Sequence, residues 1–149
     1  MRRWASLPGK FLRLPTERQG LLADAWWQLF VARLLLRLLP FRGLTKFLIK
    51  APSRQFLRTD FERQQVRRKV SWAINLAAKY LPGETVCFPR GLAAQTMCRK
   101  RGINAILYYG AAVLPSEGLA AHVWVLDGDD GIVGHQTADK YRVLACFPL

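Results

Sequence analysis

The chain has 149 residues, 51% of them hydrophobic, with five Trp and eight Phe; that length and content suit one domain with a real core and exclude a disordered chain. The formal charge of +13 is uneven, because residues 1–86 hold 17 Lys/Arg against 5 Asp/Glu while residues 87–149 hold 6 against 5. Three cysteines exclude a disulfide framework and fit free thiols in a reducing, cytoplasmic compartment.

In chain order, the opening "MRRWASLPGKFLRLP" is basic but broken by prolines and lacks the apolar run of a signal peptide. Thr16 followed by Gln19 forms a capping-box pattern, and a helix is predicted from about Glu17 to Leu39, stopped by Pro40. Its stretch Leu21–Pro40 resembles a membrane segment on hydropathy, but Asp24, Arg33 and Arg37 interrupt it, so no transmembrane segment is expected. Apolar residues cover most of this helix's circumference, which places it centrally or against a partner. A shorter helix over "FRGLTKFLIK" and a connection over "APSRQFLRT" follow.

Thr59 or Asp60 can cap the next helix, Phe61 to about Tyr80, whose Val66, Val70, Ala73, Leu76, Ala77 and Tyr80 repeat at helical steps. Arg63, Arg67 and Lys69 lie largely off that core face and read as a solvated basic flank, or else as a face for an acidic ligand. After Pro82-Gly83, a helix from about Phe88 to Arg101 ends in three cations with Gly102 as its left-handed cap. "INAILYYGAAV" is rich in β-formers, "PSEG" is a loop, and "HVWVLD" turns through "GDDG" into "IVGHQ" as a hairpin. "YRVLACF" adds a last strand, giving an α+β architecture of helices followed by one helix on an antiparallel sheet. Residues 1–82 form a basic helical region and 83–149 a helix-and-sheet core, together one compact unit.

The basic half could serve nucleic acid, an anionic membrane surface or an acidic peptide. No RNA-binding signature, zinc-finger spacing, Gly-rich phosphate loop or metal-ligand cluster is present, so no nucleic acid and no metal are expected, and an acidic peptide or protein is preferred.

The chemistry concentrates in "GETVCFPRGLAAQTMCRKRGI". Cys87 falls at a helix start, where free backbone N–H groups and the positive dipole end favour a thiolate, and Pro89 fits the first turn. The competing reading is a small apolar core residue, which is how Cys98 and Cys146 are read. A thiolate nucleophile needs a base, and the two histidines, His122 and His135, both fall on the hairpin. On a strand His122, Trp124 and Leu126 share one face, with Val123, Val125 and Asp127 on the other.

"CFPRGLAAQTMCRKRGINAILYYG" followed by "AHVWV" resembles the transglutaminase-like cysteine peptidase core. Within that superfamily the chain most resembles the lasso-peptide maturation peptidase, and "KFLRLPTERQGLLADAWWQLFVARLLLRLLPF" and the ending "YRVLACFP" fit as well, so the resemblance covers nearly the whole chain. It implies a transglutaminase/papain-like fold, with Cys87 attacking the scissile carbonyl and His122 as its base and then as acid for the leaving amine. It also implies an acidic third residue to orient the imidazole, and here the sequence departs from the pattern.

Asp127 should point to the opposite sheet face, and the hairpin places His135, Gln136 and Thr137 across from His122. A side-chain amide can orient an imidazole, so Gln136 is the first choice, Asp127 the second should a bulge turn it, and Asp139 a more distant one. The oxyanion donors are expected among backbone N–H groups at the helix start. With no segment long enough for a winged-helix leader-recognition module, the resemblance implies the split form. Its partners would be the lasso precursor peptide, a small leader-recognition protein and an asparagine-synthetase-like cyclase. No directly bound cofactor is expected, and ATP dependence would belong to the maturation system. A non-catalytic scaffold that binds an acidic partner through residues 1–80 is the alternative, and acyl transfer to an amine a third reading.

Overall fold

Helix formation is set by local signals at the chain's two best-defined boundaries. Thr59 caps its helix with a full capping box: its side chain accepts from the Glu62 backbone N–H, and the Glu62 carboxylate accepts from the Thr59 N–H at 3.0 Å. At the other boundary Gly102 takes φ 77°, its N–H donates to the Arg99 carbonyl, and the Ile103 N–H donates to the Cys98 carbonyl. That pair of bonds is the Schellman pattern expected from "RKRG".

The structure, a computed structural model, describes residues 7–40, 42–43, 59–81 and 87–147. The helices are α1 (Leu7–Leu12), α2 (Thr16–Leu38), α3 (Asp60–Tyr80) and α4 (Cys87–Lys100). The strands are β1 (Ile106–Leu114), β2 (Gly118–Asp127), β3 (Asp130–Val133) and β4 (Arg142–Phe147), with a 3₁₀ helix over His135–Lys140. The short helix and the connection expected across 41–59 lie almost wholly outside the described residues. At α2 the capping expectation is corrected: Pro15 is the N-cap and Thr16 the first helical residue, while the Gln19 amide donates to the Leu14 carbonyl at 2.9 Å.

The four strands form one antiparallel sheet in the order β3-β2-β1-β4. Alternation along β2 sends Val123 and Val125 into the core, while His122 and Leu126 are half-buried on the other face. Helix α4 lies against the sheet, α3 packs beside it over β3, and α2 packs on α3 and α4. Leu29 of α2, Ile74 of α3, Met97 of α4, Leu107 of β1 and Val125 of β2 meet in a single core, so residues before and after 82 share it. Buried Gln95 of α4 donates to the carbonyls of Ala105 (3.0 Å) and Phe147 (2.8 Å), fastening the helix to the start of β1 and the paired end of β4. This is an α+β fold of helices stacked on one antiparallel sheet.

Two expectations about side-chain placement are corrected. Cys146 is exposed rather than in the core: it pairs with Tyr108 on the outer sheet face, and Phe147 takes the inward position. Arg63 and Arg67 are not a solvated flank; both are drawn to a buried carboxylate of the sheet. Helix α2 buries Leu22, Ala25, Leu29 and Ala32 on one side yet exposes Trp27, Phe30, Leu34 and Leu38 on the opposite side. Among the described residues no helix is long and apolar enough to cross a membrane.

Candidate active site

Strand β3 ends at Val133, paired with Val125, and Gly134 turns the chain away at φ 71°. Beyond that point β2 is flanked by the Gly134 turn and the 3₁₀ helix, while α4 packs on its inward face. The close approach has a local cause: a Cβ at Gly91 would lie 2.5 Å from Val123 Cγ1, so only glycine lets the helix come this near the strand. A cavity of about 200 Å³ results, lined by Asn75, Cys87, Arg90, His122, Val123, Val133, Gly134, Gln136 and Thr137.

Cys87 and His122, separated by 35 positions in the chain, thus face one cavity. Cys87 is half-buried at the first residue of α4, where the backbone N–H groups of the opening turn have no partner within the helix. Arg90, one turn on, donates to the Asn75 side-chain oxygen of α3 and stands on the same side of the helix as Cys87. Cys98 is wholly buried; burial pushes its thiol up to about 12, and nearby Asp127 adds to the shift. This is the core position expected for it, and a thiol so held is a poor nucleophile.

The imidazole is held from three sides. Its Nε2 lies 2.7 Å from the Gly134 carbonyl oxygen and 3.4 Å from Thr137 Oγ1. A carbonyl only accepts, so Nε2 carries the proton and donates it, which leaves Nδ1 as the basic nitrogen of the neutral ring. Tyr141 packs on the imidazole at 4.9 Å between ring centres, and Trp124 stacks beside it at 6.1 Å. Trp124 is itself stacked on Tyr108 at 5.8 Å and buried, giving the histidine a fixed apolar wall.

The group bonded to the imidazole is therefore a backbone carbonyl, a partner that sequence reasoning missed. Gln136 lines the cavity without a hydrogen bond to His122. Asp127 lies on the opposite face of the sheet, as its place on the strand predicts, and no bulge turns it toward His122: its side chain is 1% exposed and takes Arg63 at 2.5 Å and Arg67 at 2.7 Å. Asp139 sits exposed on the 3₁₀ helix and makes no bond to the imidazole. The signal that could have pointed to Gly134 is its lone placement between a strand and a polar run. A backbone atom carries no residue-type signature beyond that.

A half-buried thiol at a helix start and a strand imidazole whose Nε2 is bonded to a backbone carbonyl thus line one cavity, the arrangement from which thiol–imidazole nucleophile sites are built. The chain belongs to the transglutaminase-like superfamily, whose pattern it matches over residues 26–146; that superfamily includes cysteine proteases and transglutaminases. Neither the curated proteins nor the solved structures include a significant match to this chain.

Proposed function

We propose that this chain is a cysteine peptidase that removes the leader from a lasso-peptide precursor, acting with a separate leader-binding protein and a cyclase. The observation that carries the peptidase reading is the pairing of Cys87 and His122 in one cavity, with Nε2 bonded to Gly134. The lasso-peptide assignment is supported by the resemblance of the segments around Cys87 and His122 and of both flanks.

The chemistry runs in two halves. Nδ1 of His122 takes the thiol proton as Sγ of Cys87 attacks the scissile carbonyl carbon. Backbone N–H groups at the α4 start stabilise the oxyanion, His122 then protonates the leaving amine, and an acyl-enzyme remains. Water, deprotonated by the same imidazole, releases the acid and restores the thiol. A neutral carbonyl fixes the tautomer as a carboxylate would, but it stabilises the imidazolium less, so slow turnover is expected.

Incubation with a lasso precursor and its leader-binding protein tests this directly. Leader removal should be lost in Cys87→Ala, with a folded circular dichroism spectrum, and largely kept in Cys98→Ala. Unimpaired processing by Cys87→Ala would sink the proposal. Gln136→Ala should slow the reaction far less than His122→Ala.

A further inference from the structure

Beside the site described above lies a second hollow, and one residue is common to both linings. A cavity of about 370 Å³ lies between α3 and the β3 hairpin, and Asn75 lines both it and the Cys87 cavity. Arg68, Ser71, Trp72 and Asn75 line it from α3, and their three- and four-residue steps make one ridge of that helix the wall of the hollow.

The charges along this ridge are not equivalent. Arg67 is committed to Asp127 at 2.7 Å and to Asp130 at 2.8 Å, and Arg63 to Asp127 at 2.5 Å. Two cations thus meet two carboxylates. Arg68 is exposed, lines the hollow and has no ion-pair partner among the described residues. Asp130 also lines the hollow, but its carboxylate is taken by Arg67 at 2.8 Å, which leaves Arg68 as the exposed cation of this wall among the described residues. Trp72 beside it is half-buried and held under Arg18, whose guanidinium carbon is 5.3 Å from the ring centre.

We propose that the two cavities form one groove for an extended peptide, with Arg68 receiving an acidic side chain of the substrate. The inference rests on the peptidase reading and adds to it a specificity determinant remote from the reacting atoms. Seven residues of helix separate Arg68 from Asn75, roughly 10 Å at 1.5 Å per residue. An extended peptide advances about 3.3 Å per residue, so the acid recognised by Arg68 stands about three residues from the scissile bond. Backbone groups of the peptide would run past the Ser71 hydroxyl and the Asn75 amide, and an apolar side chain would rest on Trp72. The bond to Arg68 is charge-assisted, so it discriminates against a neutral residue and repels a basic one.

The test uses the full chain in two forms. The first is Cys87→Ala, titrated at low salt with two pools of blocked, fluorescein-labelled decapeptides, uncharged except for one Asp or one Lys at varied position, and followed by anisotropy. The Asp pool should bind at least about tenfold tighter than the Lys pool. Arg68→Glu should abolish or reverse that preference, while Lys10→Glu, the same charge change on exposed α1, should leave it. The second form is the wild type, with cut sites read by mass spectrometry; acid should be enriched about three residues from the cut, and the enrichment should vanish in Arg68→Glu. Equal binding of the two pools, or a preference that survives Arg68→Glu, overturns the groove. Arg68-dependent binding without any cleavage would instead uphold the groove and overturn the peptidase reading.

Discussion

At the scale of single residues, one carbonyl oxygen holds the imidazole of the candidate site. Gly134 supplies it from a left-handed backbone, and a Cβ there would stand 2.5 Å from the Val123 carbonyl oxygen. Gly134→Ala must therefore move the very group that holds His122 Nε2. The expected outcome is a loss of roughly 10²-fold in kcat with little change in KM, since orientation of the base matters only once the thiol reacts. Steady-state kinetics on a cleaved peptide, with circular dichroism to show the fold, checks it.

The two candidate side chains were legible in the sequence for different reasons. Cys87 was marked by its place before Pro89 at a helix start, and His122 by opening an alternating strand. Their third partner was not legible, because any residue type presents a carbonyl and only the turn at Gly134 aims it. The exposure of Cys146 escaped for a related reason. The register of β4 against β1 shifts between Tyr109 and Gly110, and such a bulge resets which residues point inward.

At the scale of elements, two ionic contacts fasten the helices. Asp127 closes β2 and is almost fully buried between Arg63 and Arg67 of α3, more than 55 residues earlier. Sequence could place Asp127 on the face away from His122, but nothing local revealed which cations would meet it there. Removing the carboxylate leaves the two guanidinium groups without their buried counter-charge. Asp127→Ala is expected to cost about 3–5 kcal/mol in urea unfolding, and to act through stability rather than through the chemical step.

The second contact joins α2 to the end of α4. Asp24 accepts from Lys100 at 3.0 Å, Arg101 at 3.0 Å and Gln28 at 3.2 Å. Burial pushes its carboxyl up, but these bonds outweigh it and hold the group below its ordinary value of 3.8. A lowered folded value means stability that is present above the unfolded value and lost as pH falls through the folded one. Acid unfolding should therefore show a Asp24-dependent loss beginning below about pH 4. Asp24→Asn should remove that part of the acid limb and lower stability at pH 7 by about 1 kcal/mol, after solvent screening. Thermal melts from pH 2 to 7 distinguish the two proteins.

At the scale of the whole molecule, the uneven charge seen in the sequence has three destinations. Part of it is internal, in the pairs that bind Asp127, Asp130 and Asp24. Part lines the groove at Arg68 and Arg90. The other described cations of the helices lie on their surface. Helices α2 and α3 were readable from periodicity and, at Thr59, from a cap, whereas α1 was not; the turn from helical to alternating pattern after Gly102 was readable too. Their stacking into a single core was less so, because α2 is apolar on both sides and its sequence does not say which side faces inward.

The central claim is that His122 activates Cys87. Alkylation by iodoacetamide at pH 7, followed thiol by thiol with mass spectrometry, tests it most directly. Cys146, exposed and remote from the cavity, serves as the internal reference, and Cys98 should stay unlabelled while the chain is folded. Cys87 should react faster than Cys146 in the wild type, and His122→Ala should slow Cys87 about tenfold or more while leaving Cys146 unchanged. A Cys87 rate that is the same with and without His122 would contradict the pairing.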